Sequence, residues 1–274
     1  MALASIRPPA VAGQFYPGDD RVLRTQLAEM LSTAVALEDA PTPKAIVVPH
    51  AGYMYSGPVA ASAYSLLAPM RHIVRRVVML GPTHRVAIRG FALPAAQVFA
   101  TPLGEVPLSR ADWMALQARD DVMVDDRPHA LEHCLEVQLP FLQMTLERFE
   151  IVPVLVGDAP AQAVASLIEQ LWGGPETLIL ISSDLSHYLS YREAQWSDRA
   201  TVEQVLELRP GLDHEQACGA TPINGLLIAA RDHHLRPHLL DLRNSGDTAG
   251  DRSRVVGYTS IAFCEAEPSN HARH

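Results

Sequence analysis

Three short apolar runs in this chain end on residues that can bind a metal or move a proton. Residues 45–48 lead through Pro49 to His50, and residues 77–80 lead through Gly81, Pro82 and Thr83 to His84. Residues 178–181 lead through Ser182 and Ser183 to Asp184 and then His187. Imidazole is both a common metal ligand and a proton carrier near neutral pH. A carboxylate next to it can take part in acid–base chemistry. One histidine after one strand is usually a loop residue bonded to backbone, and Asp184 could equally cap the turn after its own run. Three such ends carry more weight together, because ligands collect outside the carboxyl ends of strands in open α/β sheets.

Two further positions extend this set. Cys218 lies in Ala217-Cys218-Gly219-Ala220-Thr221-Pro222, just before an apolar helical run. A thiol near a helix N-terminus tends toward thiolate, the form that ligates metals and attacks electrophiles. The plain alternative is a small buried filler, the usual fate of a free cysteine, and Cys134 and Cys264 fit that description. His133 stands between Glu132 and Cys134, three residues before Glu136. On a helix over residues 131–146, His133 and Glu136 would share one polar face. That face points either into the site or into solvent. No HExxH, paired CxxC, GxxxxGK[ST], GxSxG or GxGxxG pattern occurs, so zincin, phosphate-loop, nucleophile-elbow and dinucleotide chemistry lack support.

The elements that must position these residues alternate. Residues 45–48, 77–80, 151–156, 178–181 and 255–263 are β-branched-rich apolar runs bounded by Pro or Gly, the pattern of buried parallel strands. Helical spacing appears over 21–37, 56–67, 131–146, 193–208 and 222–231. Ser56 would cap the second of these with Pro58 in its first turn, Pro140 would kink the third, and Thr221 would cap the last. Residues 243–254 read as a loop or hairpin connection, and 265–274 as a mobile tail. Alternation of this kind predicts a single α/β domain over 1–274, with a mostly parallel central sheet covered by helices on both faces.

Composition narrows the partners. The 274 residues are 48% hydrophobic, enough for a large core. Lys and Arg number 22 against 31 Asp and Glu, a formal charge of −9, which argues against nucleic acid as a partner. Three cysteines do not make a disulfide framework and fit a reducing compartment. Neither a secretory signal nor an apolar run of membrane-spanning length is seen, so a cytoplasmic location is expected.

Taken in order, the motifs resemble the MEMO family, and within it the microbial proteins labelled AmmeMemoRadiSam system protein B. The resemblance rests on Arg7-Pro-Pro-Ala-Val-Ala-Gly-Gln-Phe-Tyr-Pro17, Val48-Pro-His-Ala-Gly-Tyr53 and Leu80-Gly-Pro-Thr-His84. It continues through Glu132-His-Cys-Leu-Glu136, Ser182-Ser-Asp-Leu-Ser-His-Tyr188 and Cys218-Gly219. That family is similar in fold to class III extradiol dioxygenases, which hold non-haem Fe(II) with two histidines and a carboxylate. The resemblance implies His50, His84 and Cys218 as metal ligands and His187, Asp184 and His133 as catalytic or cleft-lining groups. It implies Fe(II) or Cu, or Zn, as the cofactor. A thiolate in place of the carboxylate softens the site, so ring cleavage does not follow from it.

Three functions stay open at this point. One is a metal-dependent redox enzyme acting on a small substrate. Another is a binding or adaptor protein that takes a peptide in a vestigial cleft. The third is a hydrolase built from Cys218, His187 and Asp184. The family label adds a radical-SAM pathway partner by association alone.

Overall fold

The structure, a computed structural model, describes residues 5–34 and 42–265. Residues 35–37 of the first expected helix and 266–274 of the expected tail lie outside the described residues. Twelve strands are described in chain order: β1 (Ile6–Arg7), β2 (Pro43–Val48), β3 (Arg76–Pro82), β4 (Phe91–Leu93), β5 (Val98–Thr101), β6 (Gly104–Pro107), β7 (Val122–Val124), β8 (Glu150–Val156), β9 (Thr177–Ser182), β10 (His187–Leu189), β11 (Arg236–Asn244) and β12 (Val255–Cys264). The short β1, β5 and β6 form a separate sheet. The other nine form the central sheet, in the order β10-β12-β2-β9-β3-β8-β4-β7, with β11 also paired to β12.

Four central strands, β2, β9, β3 and β8, are parallel. Val48 is level with Ser182, and Leu80 with Ile181. The carboxyl ends that lead to His50, Asp184 and His84 therefore lie side by side, as the alternation predicts. The flanks differ from the expectation of a mostly parallel sheet. β12 is antiparallel to β2, β10 and β11, and β4 is antiparallel to β8, so the sheet is mixed. The run 255–263 is a strand but not a parallel one. A strand buried on both faces shows the same apolar run in either direction, so periodicity cannot record its sense.

Side-chain alternation splits the sheet into two packed faces. Ile46, Val48, Val77, Met79, Leu178 and Leu180 face α1 (Asp20–Thr33), α2 (Tyr53–Ser65) and, further along the chain, the helix Leu139–Thr145. Ala45, Val47, Val78, Leu80, Ile179 and Ile181 join the second core cluster, with helices later in the chain. The helices after α2 are α3 (Arg110–Gln117), α4 (Asp126–Ala130), α5 (Leu139–Thr145), α6 (Ala161–Gln170), α7 (Tyr191–Leu206), α8 (Ala220–Asp232) and α9 (Ser245–Thr248), of which α3, α6, α7 and α8 contribute to the second cluster and α5 to the first. α6 and α8 pack on this second face, and a Cβ on Gly225 of α8 would meet Val164 Cγ1 of α6 at 2.3 Å. Glycine lets the two backbones approach.

Two local expectations are corrected. α2 starts at Tyr53 rather than after Ser56, which instead donates its hydroxyl to the Ala51 carbonyl. Residues 131–146 are not one kinked helix. They form a turn after α4, a 3₁₀ turn Glu136–Gln138, and α5, where Pro140 sits in the first turn. The buried Glu132 carboxylate takes the N–H groups of His84, His133 and Cys134, which removes them from helical bonding. Residues 236–244 form β11, antiparallel to β12, so the stretch expected to be a loop or hairpin connection does join two antiparallel strands, with α9 inside it. No helix among the described residues is long and apolar enough to cross a membrane.

Candidate metal centre

His50 leaves β2 into a fixed frame. Its N–H donates to Asp184 Oδ1 at 2.7 Å, and Ser183 N–H donates back to the Val48 carbonyl at 2.9 Å. The ring is 1% exposed. Its Nδ1 lies 2.9 Å from Ser182 Oγ. That hydroxyl spends its proton on the Cys134 carbonyl at 2.6 Å and accepts from Gln138 Nε2 at 2.8 Å. Ser182 can only accept from His50, so Nδ1 carries the proton and Nε2 keeps its lone pair. Burial holds the His50 pKa well below the usual histidine range, and the neighbouring His133 and His84 reinforce this. The ring is neutral, the form that ligates.

His84 and His133 are oriented by one carboxylate. Glu132 is 3% exposed. Its Oε1 lies 2.9 Å from His84 Nδ1 and 3.2 Å from His133 Nδ1, while Oε2 accepts the His84 N–H at 2.6 Å. Burial alone would raise the Glu132 pKa; hydrogen bonds from His133 and His84 outweigh it and hold the carboxyl far below its usual range. An ionised carboxylate only accepts, so both rings present Nε2 outward. The rings of His84 and His133 stack at 4.8 Å, and the His50 ring meets each edge-on at 5.1 and 5.4 Å. One ligand atom from each of the three rings lies within 4.8 Å of the others.

Cys218 stands at the shoulder of this group. Its Sγ is 3.2 Å from His50 Nε2 and accepts the Asp184 N–H at 3.3 Å. It does not join His50 and His84 in a mutually close set, which His133 does. Burial and the Asp184 carboxylate push its thiol pKa up to about 12. Without a cation it is a thiol, a poor starting point for a hydrolytic nucleophile, and its imidazole neighbour is His50. A cation at the three Nε2 atoms would reverse that balance. Three imidazoles and a sulfur are a suitable donor set for Zn, Cu or Fe. Cys134 and Cys264 are buried, as expected of core residues, and Cys134 donates its S–H to the Pro82 carbonyl.

Asp184 is 4% exposed, and burial raises its pKa. It lines a cleft with His133 and His187, on β10. A second cavity, of about 560 Å³, touches His84 and Cys218. The three histidines thus lie between two openings. Glu136 does not face the site; it is 1% exposed and ion-paired with Arg7 at 2.6 Å. Glu132, Ser182 and Gln138 are site-building residues that spacing did not single out. Only the adjacency of Glu132 to His133 hinted at any of them.

Comparison with known proteins finds relatives over nearly the whole chain. A family model described as Memo-like protein matches residues 7–262. A MEMO1 family protein of Sulfurisphaera tokodaii is 33% identical over 283 residues, spanning 94% of this chain and 99% of the relative. One from Methanopyrus kandleri is 36% identical over 281 residues, with 94% and 98% covered. One from Aquifex aeolicus is 34% identical over 270 residues, with 94% and 99% covered.

Proposed function

The chain belongs to the Memo-like protein family, and on that premise we propose that it is a metal-dependent redox enzyme acting on a small substrate. His50, His84 and His133 would hold the ion through Nε2, with Cys218, whose Sγ lies 3.2 Å from His50 Nε2, as a further donor. The observation that supports this reading is the common tautomer: all three Nδ1 atoms are engaged by acceptors, leaving three neighbouring lone pairs. Iron(II) or copper would supply electron transfer and charge stabilisation there; zinc would supply the latter alone. Around it, His187 faces the cleft as the proton carrier, while Asp184 keeps the His50 backbone in register.

Metal content of protein prepared anaerobically tests the reading. Wild type is expected to hold about one ion per chain. His50→Ala and His133→Ala are expected to lose it, and Cys218→Ser to retain ion with a shift away from soft metals. Full metal content in His133→Ala with loss in Cys218→Ala would return the ligand set to His50, His84 and Cys218. Wild-type content in all these variants would refute the centre and favour the adaptor reading of the cleft.

A further inference from the structure

The cleft beside His133 and His187 has a volume of about 650 Å³, within the range of small-molecule sites. Its inner end holds a buried hydroxyl. Tyr258 is 2% exposed, lines the cleft, and makes no hydrogen bond through its hydroxyl to any described residue. Buried tyrosine hydroxyls normally find a partner. This oxygen is not sealed inside the protein either, since it is absent from the enclosed unpartnered atoms, Gln26 Oε1 and Ser186 Oγ. It opens onto the cavity.

The outer end holds an uncommitted cation. The Arg254 guanidinium lies 5.1 Å from the centre of the Tyr188 ring, and both residues line the cleft. Arg254 forms no ion pair with a described carboxylate. The two carboxylates on the cleft wall are otherwise engaged: Asp184 accepts the His50 N–H, and Asp251 the Ser253 N–H. Tyr188 is 65% exposed and sits at φ 61°, a left-handed conformation that a bulky residue seldom adopts. Such strain persists where surrounding structure imposes it and clusters at ligand sites. Tyr188 falls where the pairing of β10 with β12 shifts register. Met54, 59% exposed, and Phe15, whose ring centre lies 4.8 Å from that of His133 at a tilt of 56°, add apolar surface to the same cleft.

We propose that the cleft binds a small organic anion with a flat apolar body. Arg254 takes the anionic group, Tyr188, Met54 and Phe15 cover the body, and Tyr258 hydrogen-bonds the inner end. In a chain of net charge −9, selection of an anion requires a local cation, and among the described residues lining the cleft Arg254 is the one placed to provide it. Tyr258 and Arg254 are then specificity-determining contacts of the enzyme proposed above. The inference rests on that reading only for the identity of the reacting end.

Calorimetric titration of metal-free protein with trans-cinnamate, its neutral amide and hexanoate tests this without relying on the metal. Cinnamate is expected to bind at least about tenfold tighter than the amide, as loss of a charge-assisted contact implies. It should also bind tighter than hexanoate. Arg254→Gln should erase the preference over the amide. Tyr258→Phe should weaken cinnamate by about three- to tenfold and keep that preference. Equal binding of acid and amide, selectivity that survives Arg254→Gln, or no saturable binding of cinnamate below about 10 mM would each overturn the proposal. Metal titration of Arg254→Gln separates the two readings. Normal metal binding with no anion selectivity in wild type defeats this inference alone; the reverse defeats the metal centre alone.

Discussion

Glu132 orients two of the three rings, and its charge state matters as much as its position. A carboxylate accepts from both Nδ1–H groups and from the His84 and His133 amides. An amide of the same shape must turn NH₂ toward one of those donors. Glu132→Gln is therefore expected to rotate or re-tautomerise His84 or His133 and lower metal affinity by about 10- to 100-fold. Competition with a chelator of known affinity measures it, with His50→Ala as the stronger comparison. Unchanged affinity would mean that the rings are held by packing alone. At this scale the sequence made His50 and His84 visible, because each follows a strand whose end must reach the sheet rim. His133 was visible only as a polar neighbour. It lies on a turn created by Glu132 itself, and a helical reading of that stretch pairs it with the wrong carboxylate, Glu136.

Between elements, a buried acid ties α7 to the segment carrying Asp184 and His187. Asp198 on α7 is 2% exposed and accepts the Ser186 N–H at 3.0 Å. It occupies the space over Gly257 of β12, where a Cβ would come within 2.1 Å of its carboxylate. Burial raises its pKa from 3.8 to about 6. Between those values the folded chain keeps a proton that the unfolded chain has lost. The stabilising contribution is thus complete below pH about 4 and is lost as pH rises through about 6. The shift corresponds to at most about 3 kcal/mol. Asp198→Asn keeps an acceptor for Ser186 and removes the titration. Its stability relative to wild type should rise from pH 4 to pH 7, as read by urea unfolding at each pH; parallel curves would count against this. The strands on either side of this junction were unequally legible. β12 is apolar enough to be seen, although not its direction, whereas β11 is Arg-Pro-His-Leu-Leu-Asp-Leu-Arg-Asn, too polar and Pro-containing to stand out as a strand.

Across the whole molecule, the N-terminal segment is fastened to the turn that bears His133. Arg7, 5% exposed, donates to Glu136 at 2.6 Å and to the Glu132 and His129 carbonyls at 2.6 and 2.8 Å. Glu136 also accepts the Ala10 and Val11 N–H groups and the Tyr16 hydroxyl. The same segment then delivers Phe15 to His133, and its carbonyl takes the Tyr53 N–H that opens α2. Spacing alone could not reveal this, since Arg7 and Glu136 are 129 positions apart and their alliance depends on strand order. Composition and alternation were enough for the α/β class and the parallel centre; they contain no record of which segment folds back over the rim. The arrangement makes a local prediction. Glu136→Ala leaves the Arg7 charge buried without its carboxylate, at a cost of about 3–5 kcal/mol. The loss should begin at the fastening. Amide exchange at Val11, Phe15 and Tyr53 should accelerate more than at Ile181 in β9, because the central strands keep their pairing and both packed faces. Equal acceleration at all four positions would show that the segment unfolds only with the sheet, and that it is part of one cooperative unit rather than a strap over the cluster of His50, His84 and His133.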